Sequence, residues 1–375
     1  MSIGVAVLGS TGSIGTAALR VLARQRERFR VVALTAHASA ELLERQAKET
    51  GATFVGLVRG NAGRNRRGPV GAESLVEAAT HPDVRIVINA VVGAAGLPAT
   101  LAALRAGKRV ALANKETLVM AGELVLCAAR EGRGEIVPID SEHSAVLQCM
   151  ASAGGRELRR LILTASGGPF RGWAPERVAR ATVEQALNHP TWRMGPKITV
   201  DSATLANKAL EVIEGHFLFG LAFDGIEVVL HPQSVIHALT EFADGSVLAQ
   251  LGFPSMELPI LYALTHPDRL PDDGVRRFDP VAASPLTFQP LSPGMFPAFD
   301  LGVAAGRMGG TGAAAFNAAN EVAVEAFLAG RLRFGAIAET IEAVLEAHEV
   351  QPAKGLDEVL AADRWARERA EARCS

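Results

Sequence analysis

The chain has 375 residues, 40 acidic and 38 basic side chains, a formal charge of −2 and 49% hydrophobic residues. This is an ordinary globular balance, enough for two or three domains around at least one large core. It excludes a bulk electrostatic pull toward nucleic acid or a membrane surface, and no apolar run approaches the ~20 residues that span a bilayer. Cys127, Cys149 and Cys374 have neither metal nor disulfide spacing and fit reduced thiols. The N-terminus runs directly into a strand, without a leader pattern, so the expected location is cytoplasmic.

Ile3 to Leu8 reads as a strand, Gly9-Ser-Thr-Gly12-Ser-Ile-Gly15 as a loop and Thr16 to Arg24 as a helix, followed by a second strand from Arg30 to Thr35. Strand, glycine loop, helix and strand form a βαβ unit. Its glycines permit close backbone approach, and free N–H groups at the helix start attract a pyrophosphate. A plain turn is the alternative. A site for NAD ordinarily carries an acid about 20 residues past the loop, on the ribose 2′-hydroxyl. Here the segment is Thr35-Ala36-His37-Ala38-Ser39, without an acid. His37 and Ser39 can donate to a 2′-phosphate, so NADP is expected over NAD. The basic run Arg59 to Arg67 is rich in Gly and Asn, lacks aromatics and reads as an exposed loop.

Alternation continues with a strand at Val84 to Ala90, a turn at Gly93 to Gly96, a helix at Pro98 to Ala106 and a strand at Arg109 to Ala113. Asn114-Lys115-Glu116 ends that strand at the carboxyl edge, where ligands lie in an α/β sheet. Asp140-Ser141-Glu142 follows another short strand, Glu135 to Ile139. Alternation in an extended segment puts both carboxylates on one face, and a hard cation relieves their repulsion. Asp140 or Ser141 capping the next helix is the plainer alternative.

Further on, the strand Leu158 to Thr164 ends in Ser166-Gly167-Gly168, either an oxyanion-holding concavity or a tight turn. His189-Pro-Thr-Trp192-Arg-Met194-Gly195-Pro-Lys197 is irregular, suited to a lid or to a loop anchored by its tryptophan. Asp201 or Ser202 is expected to cap one helix running to about Phe217, with Asn207, Lys208 and Glu211 on one face. Serine, asparagine and lysine suit a phosphate and leave Glu211 for a cation, while a salt-bridged surface helix has the same spacing.

Taken together, GSTGSIG (9–15), ANKE (113–116), PIDSEH (138–143), SGGPF (166–170), HPTWRMG (189–195), VDSATLANKALE (200–211), HPQSVIH (231–237), DGSVLAQLG (244–252) and NAANE (317–321) make the chain resemble the 1-deoxy-D-xylulose 5-phosphate reductoisomerases over nearly its whole length. The resemblance implies metal-dependent isomerisation of 1-deoxy-D-xylulose 5-phosphate, then reduction by NADPH to 2-C-methyl-D-erythritol 4-phosphate, in non-mevalonate isoprenoid synthesis. It implies that Thr11, Gly12, Ser13, Ile14, Asn114, Glu116 and Gly195 contact NADPH. Asp140, Glu142 and Glu211 become ligands of Mg²⁺ or Mn²⁺, with Co²⁺ a further candidate, and act in catalysis with Lys115. Lys115, Ser141, Glu142, Ser166, His189, Trp192, Ser202, Asn207, Lys208 and Glu211 become substrate contacts, with Trp192 and Met194 in the lid. A homodimer is also implied. The family often has Gly-Lys-Asn where this chain has His37-Ala38-Ser39.

The expected fold is α/β: a Rossmann-like NADPH domain (1–150), a catalytic α/β domain (151–285) with lid loop 189–197, a proline-rich linker (286–312) and a helical domain (313–375). Two other readings are a metal-free NADP dehydrogenase, which a chelator would not inhibit, and a nucleotide sensor that binds without turnover. Both leave the three acids and Lys208 unexplained.

Overall fold

A computed structural model of the chain describes residues 2–60, 68–153 and 157–374. Most of the basic run at 59–67 therefore lies outside the described residues. The architecture is α/β, and the chain divides into two compact units.

The first unit comprises 1–117, 125–147 and 255–276. Its strands are β1 (Ile3–Leu8), β2 (Phe29–Ala36), β3 (Phe54–Leu57), β4 (Ile86–Asn89), β5 (Arg109–Leu112) and β6 (Glu135–Pro138). They form a parallel sheet in the order β3-β2-β1-β4-β5-β6. Five of the six residues of β1 are buried, as a central strand between β2 and β4 requires. The order reverses between β1 and β4, which opens a crevice at the carboxyl edge. Helix Glu257–Thr265 adds Ile260, Leu261, Ala263 and Leu264 to this unit's core. It is pinned to helix Ser13–Arg24 by Glu257, which accepts from Arg20 at 2.9 Å and Arg24 at 2.6 Å.

The second unit comprises 118–124, 148–254 and 277–375. Its mixed sheet has the order β10-β9-β7-β8-β11, with β7 (Leu158–Ala165), β8 (Ile226–Leu230), β9 (Ile236–Phe242), β10 (Val247–Leu251) and β11 (Gln289–Pro290). β7 and β8 are parallel, and the crossover between them carries the segment from Ser166 to Phe219. Helix Gly312–Leu328 is buried over most of its surface, with Glu321 and Glu325 on its less buried side, and lies in the helical core.

Two expectations are corrected here. The helix foreseen from Asp201 to Phe217 is two helices, Pro196–Thr204 and Ala206–Phe219, joined at Leu205 with φ 56°. Asp201 and Ser202 thus lie inside the first helix and cap nothing. The stretch 286–312, expected as a proline-rich linker, is partly helical, because it contains helix Pro297–Met308. A Cβ on Gly302 would lie 2.6 Å from Ala209 Cβ, so the absent side chain lets this helix pack directly on the one that carries Glu211.

Candidate active site

In the first unit, the glycine loop follows β1 and delivers Thr11, Gly12, Ser13 and Ile14 to the carboxyl edge, where they are exposed or half-buried. Gly12 is the extended residue that starts helix Ser13–Arg24, and no acid lies in its first turn. Gly15 permits the close approach: a Cβ there would lie 2.3 Å from Gly9 O. Ser10 locks the loop from behind, its hydroxyl donating to Gln46 Oε1 at 2.7 Å while Gln46 Nε2 returns a bond to Ser10 O at 2.9 Å. The N–H groups at this helix start form a main-chain donor set suited to a diphosphate.

His37 and Ser39 are exposed just past β2. Ser39 lines a surface concavity with Arg45, which the helix Ala40–Thr50 brings round from six residues further on. Sequence reading missed this arginine because it sought a basic residue only within the loop. The helical period was the available signal.

Asn114 and Glu116 are almost fully buried at the end of β5. Asn114 Nδ2 donates to Gly93 O at 3.0 Å and to Glu116 Oε2 at 2.9 Å, tying the strand end to the turn after β4. Between them, Lys115 Nζ lies 2.5 Å from Asp140 Oδ2. The β5–β6 register explains this contact. Leu112 pairs with Pro138, so Lys115 and Asp140 leave adjacent strand ends together.

The alternation argument for Asp140 and Glu142 is corrected. Ser141 and Glu142 open helix Ser141–Ser152, and Asp140 stands just before it, its carboxylate accepting from the Ser141 N–H at 3.0 Å. Asp140 is therefore a helix-start residue and a sheet-edge carboxylate at once. Ser141 Oγ donates to Glu142 Oε2 at 2.6 Å. These all-oxygen donors suit a hard divalent cation.

In the second unit, Ser166 and Ser202 converge on one histidine. His189 Nε2 lies 3.1 Å from Ser166 Oγ and 3.1 Å from Ser202 Oγ. On the other ring nitrogen, Nδ1 accepts from the Thr191 and Trp192 N–H groups at 3.1 and 2.9 Å. Nδ1 is thus the acceptor, and the neutral ring carries its proton on Nε2. Burial pushes the His189 pKa below its ordinary value and keeps the ring neutral. Gly168, at φ 63°, donates its N–H to Ser166 Oγ at 3.2 Å. A Cβ on it would lie 2.7 Å from Ser202 O, so glycine is what lets the loop after β7 touch the Ser202 helix.

One turn past the break at Leu205, Asn207 Nδ2 and Lys208 Nζ both donate to the Glu211 carboxylate, one to each oxygen. Lys208 and Glu211 are almost fully buried, which makes this a preorganised polar group rather than a surface ion pair. Trp192 is half-buried, with its ring centroid 6.4 Å from that of His237. Met194 is half-buried, and Gly195 begins helix Pro196–Thr204 with open space around its Cα. By contrast, His231 of the HPQSVIH segment serves the scaffold: it is fully buried, Nδ1 lies 2.9 Å from Thr287 O and Nε2 accepts from Val235 and Ile236 at 3.2 Å.

Comparison with known proteins identifies the family. Residues 5–122 match the family 1-deoxy-D-xylulose 5-phosphate reductoisomerase, 136–219 match its C-terminal domain, and 251–369 match the DXP reductoisomerase C-terminal domain. The 1-deoxy-D-xylulose 5-phosphate reductoisomerase of Geobacter sp. (strain M21) is 50% identical over 370 residues, 96% of each chain. That of Mycobacterium avium (strain 104) is 51% identical over 379 residues, 98% of this chain and 92% of its own. Among solved structures, the Zymomonas mobilis reductoisomerase in complex with NADPH has a TM-score of 0.90 at 39% identity and covers 100% of both chains. A DOX-P reductoisomerase in complex with NADPH, fosmidomycin and magnesium has a TM-score of 0.92 at 40% identity, over 99% of this chain and 98% of its own. This chain belongs to the 1-deoxy-D-xylulose 5-phosphate reductoisomerase family.

Proposed function

We propose a division of labour among the residues above for the reaction that family membership assigns. That reaction is the metal-dependent isomerisation and NADPH reduction of 1-deoxy-D-xylulose 5-phosphate to 2-C-methyl-D-erythritol 4-phosphate, a step of non-mevalonate isoprenoid biosynthesis. The observation that carries the assignment is the convergence of Ser166 and Ser202 on the neutral His189. Two hydroxyls and an Nε2–H, with Asn207 and Lys208 on the following helix, form a donor set for a phosphate dianion. Held by its phosphate, the substrate commits remote binding energy to geometry at its reacting carbons.

Asp140, Glu142 and Glu211 are the proposed cation ligands, and their oxygen-only chemistry fits Mg²⁺ or Mn²⁺. When bound, the cation polarises the substrate carbonyl and NADPH supplies the hydride. Lys115 holds the Asp140 carboxylate in place and, with Ser141, donates to substrate oxygens. Thr11 to Ile14 take the diphosphate of NADPH, Asn114, Glu116 and Gly195 contact the same cofactor, and His37 and Ser39 stand at its 2′-phosphate. Trp192 and Met194 form the lid that excludes water. The domain roles are part of the proposal: 1–150 binds NADPH and supplies Lys115, Asp140, Ser141 and Glu142, 151–285 supplies Glu211 and the phosphate site, and 313–375 is helical support. We also assign a cytoplasmic homodimer. No helix among the described residues is long and apolar enough to cross a membrane.

The test is to follow nicotinamide absorbance with purified protein, 1-deoxy-D-xylulose 5-phosphate, NADPH and Mg²⁺. Oxidation that a chelator abolishes and Mg²⁺ restores is the expected result. Folded protein without metal-dependent oxidation would overturn the reading.

A further inference from the structure

The NAANE segment, 317–321, has no part in the assignment above, yet one of its asparagines reaches the helix that carries Ser202. Asn320 is fully buried on helix Gly312–Leu328, and its Nδ2 donates to Asp201 Oδ1 at 2.8 Å. Asp201 is itself fully buried, one residue before Ser202. Its other oxygen pairs with Lys197 Nζ at 2.8 Å, one turn back on the same helix. A buried carboxylate is costly unless it is both paired and hydrogen-bonded, and these two contacts supply both.

The position of Lys197 carries the argument further. It lies in the first turn of helix Pro196–Thr204, where a cation opposes the helix dipole. It also closes the loop that begins at His189. The Asp201 ion pair offsets the unfavourable position and ties the loop's end to the helix. Asn320 ties that helix to the most buried helix of the unit. Thr199 adds a bond from its hydroxyl to Gly195 O at 2.9 Å, across the same first turn. Successive helical residues point about 100° apart, so Asp201 anchors one face while Ser202 presents the next to His189. The anchored face therefore sets where the Ser202 hydroxyl stands.

We propose that Asp201, held between Lys197 and Asn320, is a positioning residue that aligns Ser202 with His189 and fixes the lid loop's C-terminal end for phosphate binding. This rests on the reading of Ser166, His189 and Ser202 as the phosphate site. It touches neither substrate nor cofactor, so its loss should act on phosphate affinity rather than on NADPH.

The test uses the full-length enzyme and inorganic phosphate as a competitive probe. Lys197→Met, at the partly exposed end of the relay, should raise both the inhibition constant for phosphate and KM for substrate about tenfold, a loss of ~1.4 kcal/mol. It should leave kcat and NADPH affinity within about twofold of wild type, and Lys197→Arg should restore phosphate binding. The swap Asp201→Asn with Asn320→Asp keeps an amide–carboxylate bond while moving the charge away from Lys197. It should unfold cooperatively at a lower melting temperature, because the relocated carboxylate loses its ion pair, and bind phosphate as weakly as Lys197→Met. Unchanged phosphate inhibition in Lys197→Met, or an equal loss of NADPH affinity, would overturn the proposal. Ser202→Ala separates the two layers: if it leaves phosphate inhibition unchanged, the phosphate-site reading itself fails. If it weakens inhibition and Lys197→Met does not, only the positioning role fails.

Discussion

The sheet edge of the first unit and the serine–histidine cluster of the second, the two proposed anion sites, are built by opposite means. At the sheet edge the donors are main-chain N–H groups at the start of helix Ser13–Arg24, and the sequence needs only glycines for close approach. In the cluster the donors are side chains from three places: the loop after β7, the loop at 189 and the helix Pro196–Thr204. A backbone site is fixed by one local element. A side-chain site depends on every element that aims a group into it, so distant contacts matter to it more.

Several measurements break or sharpen this contrast. The largest effect is expected for Glu211→Gln, which removes one charge from the proposed cation ligands while keeping the side chain's shape. Metal-dependent kcat/KM should fall ~100-fold, about 2.7 kcal/mol of transition-state stabilisation, with NADPH affinity unchanged by fluorescence titration. Near-wild-type turnover would remove Glu211 from the ligand set.

Ser202→Ala deletes one hydroxyl of the side-chain site. KM for the sugar phosphate should rise about tenfold, in the range of a hydrogen bond to a charged group, while the Kd for NADPH stays constant. Equal changes in both would show that the two sites are not separable.

At the cofactor end, Arg45→Ala should raise KM for NADPH about threefold without affecting KM for NADH, since an exposed ion pair contributes little. A loss shared equally by both cofactors would place Arg45 away from the 2′-phosphate.

The smallest effect is a pH dependence. Burial pushes His189 and His231 below their ordinary value of 6.5. Between the folded value and 6.5 the unfolded chain therefore binds more protons. Stability from the neutral rings is present above pH 6.5 and is lost as pH falls through that window. Thermal unfolding should show a lower melting temperature at pH 5.5 than at pH 7.5, with a shallower slope in His189→Asn. An identical slope in that variant would assign the effect to other groups.

The contrast also explains what was legible in the sequence. The loop from Gly9 to Gly15 was readable because a single strand, a tight turn and a helix start impose the glycines locally. Glu211, Lys208 and Asn207 were readable as one face because helical spacing alone puts them there. The break at Leu205 was not. Leucine is a strong helix former, and only tertiary packing holds it at φ 56°. Helix Pro297–Met308 was concealed because the prolines before it read as a linker, while Gly302 and Gly306 serve as contact points against neighbouring side chains. The link from Asn320 to Asp201 spans 119 positions and leaves no local pattern.

The most direct test of the contrast is a crossed titration of NADPH and inorganic phosphate against two variants. Gly15→Val places a side chain against Gly9 O and should weaken NADPH binding more than tenfold, leaving phosphate binding as in wild type. His189→Ala should do the reverse, because it removes the ring on which both serines converge. That crossed pattern, in variants that melt cooperatively, is the predicted result. If either variant weakened both ligands alike, the account of a backbone-built cofactor site and a separate side-chain-built phosphate site would be contradicted.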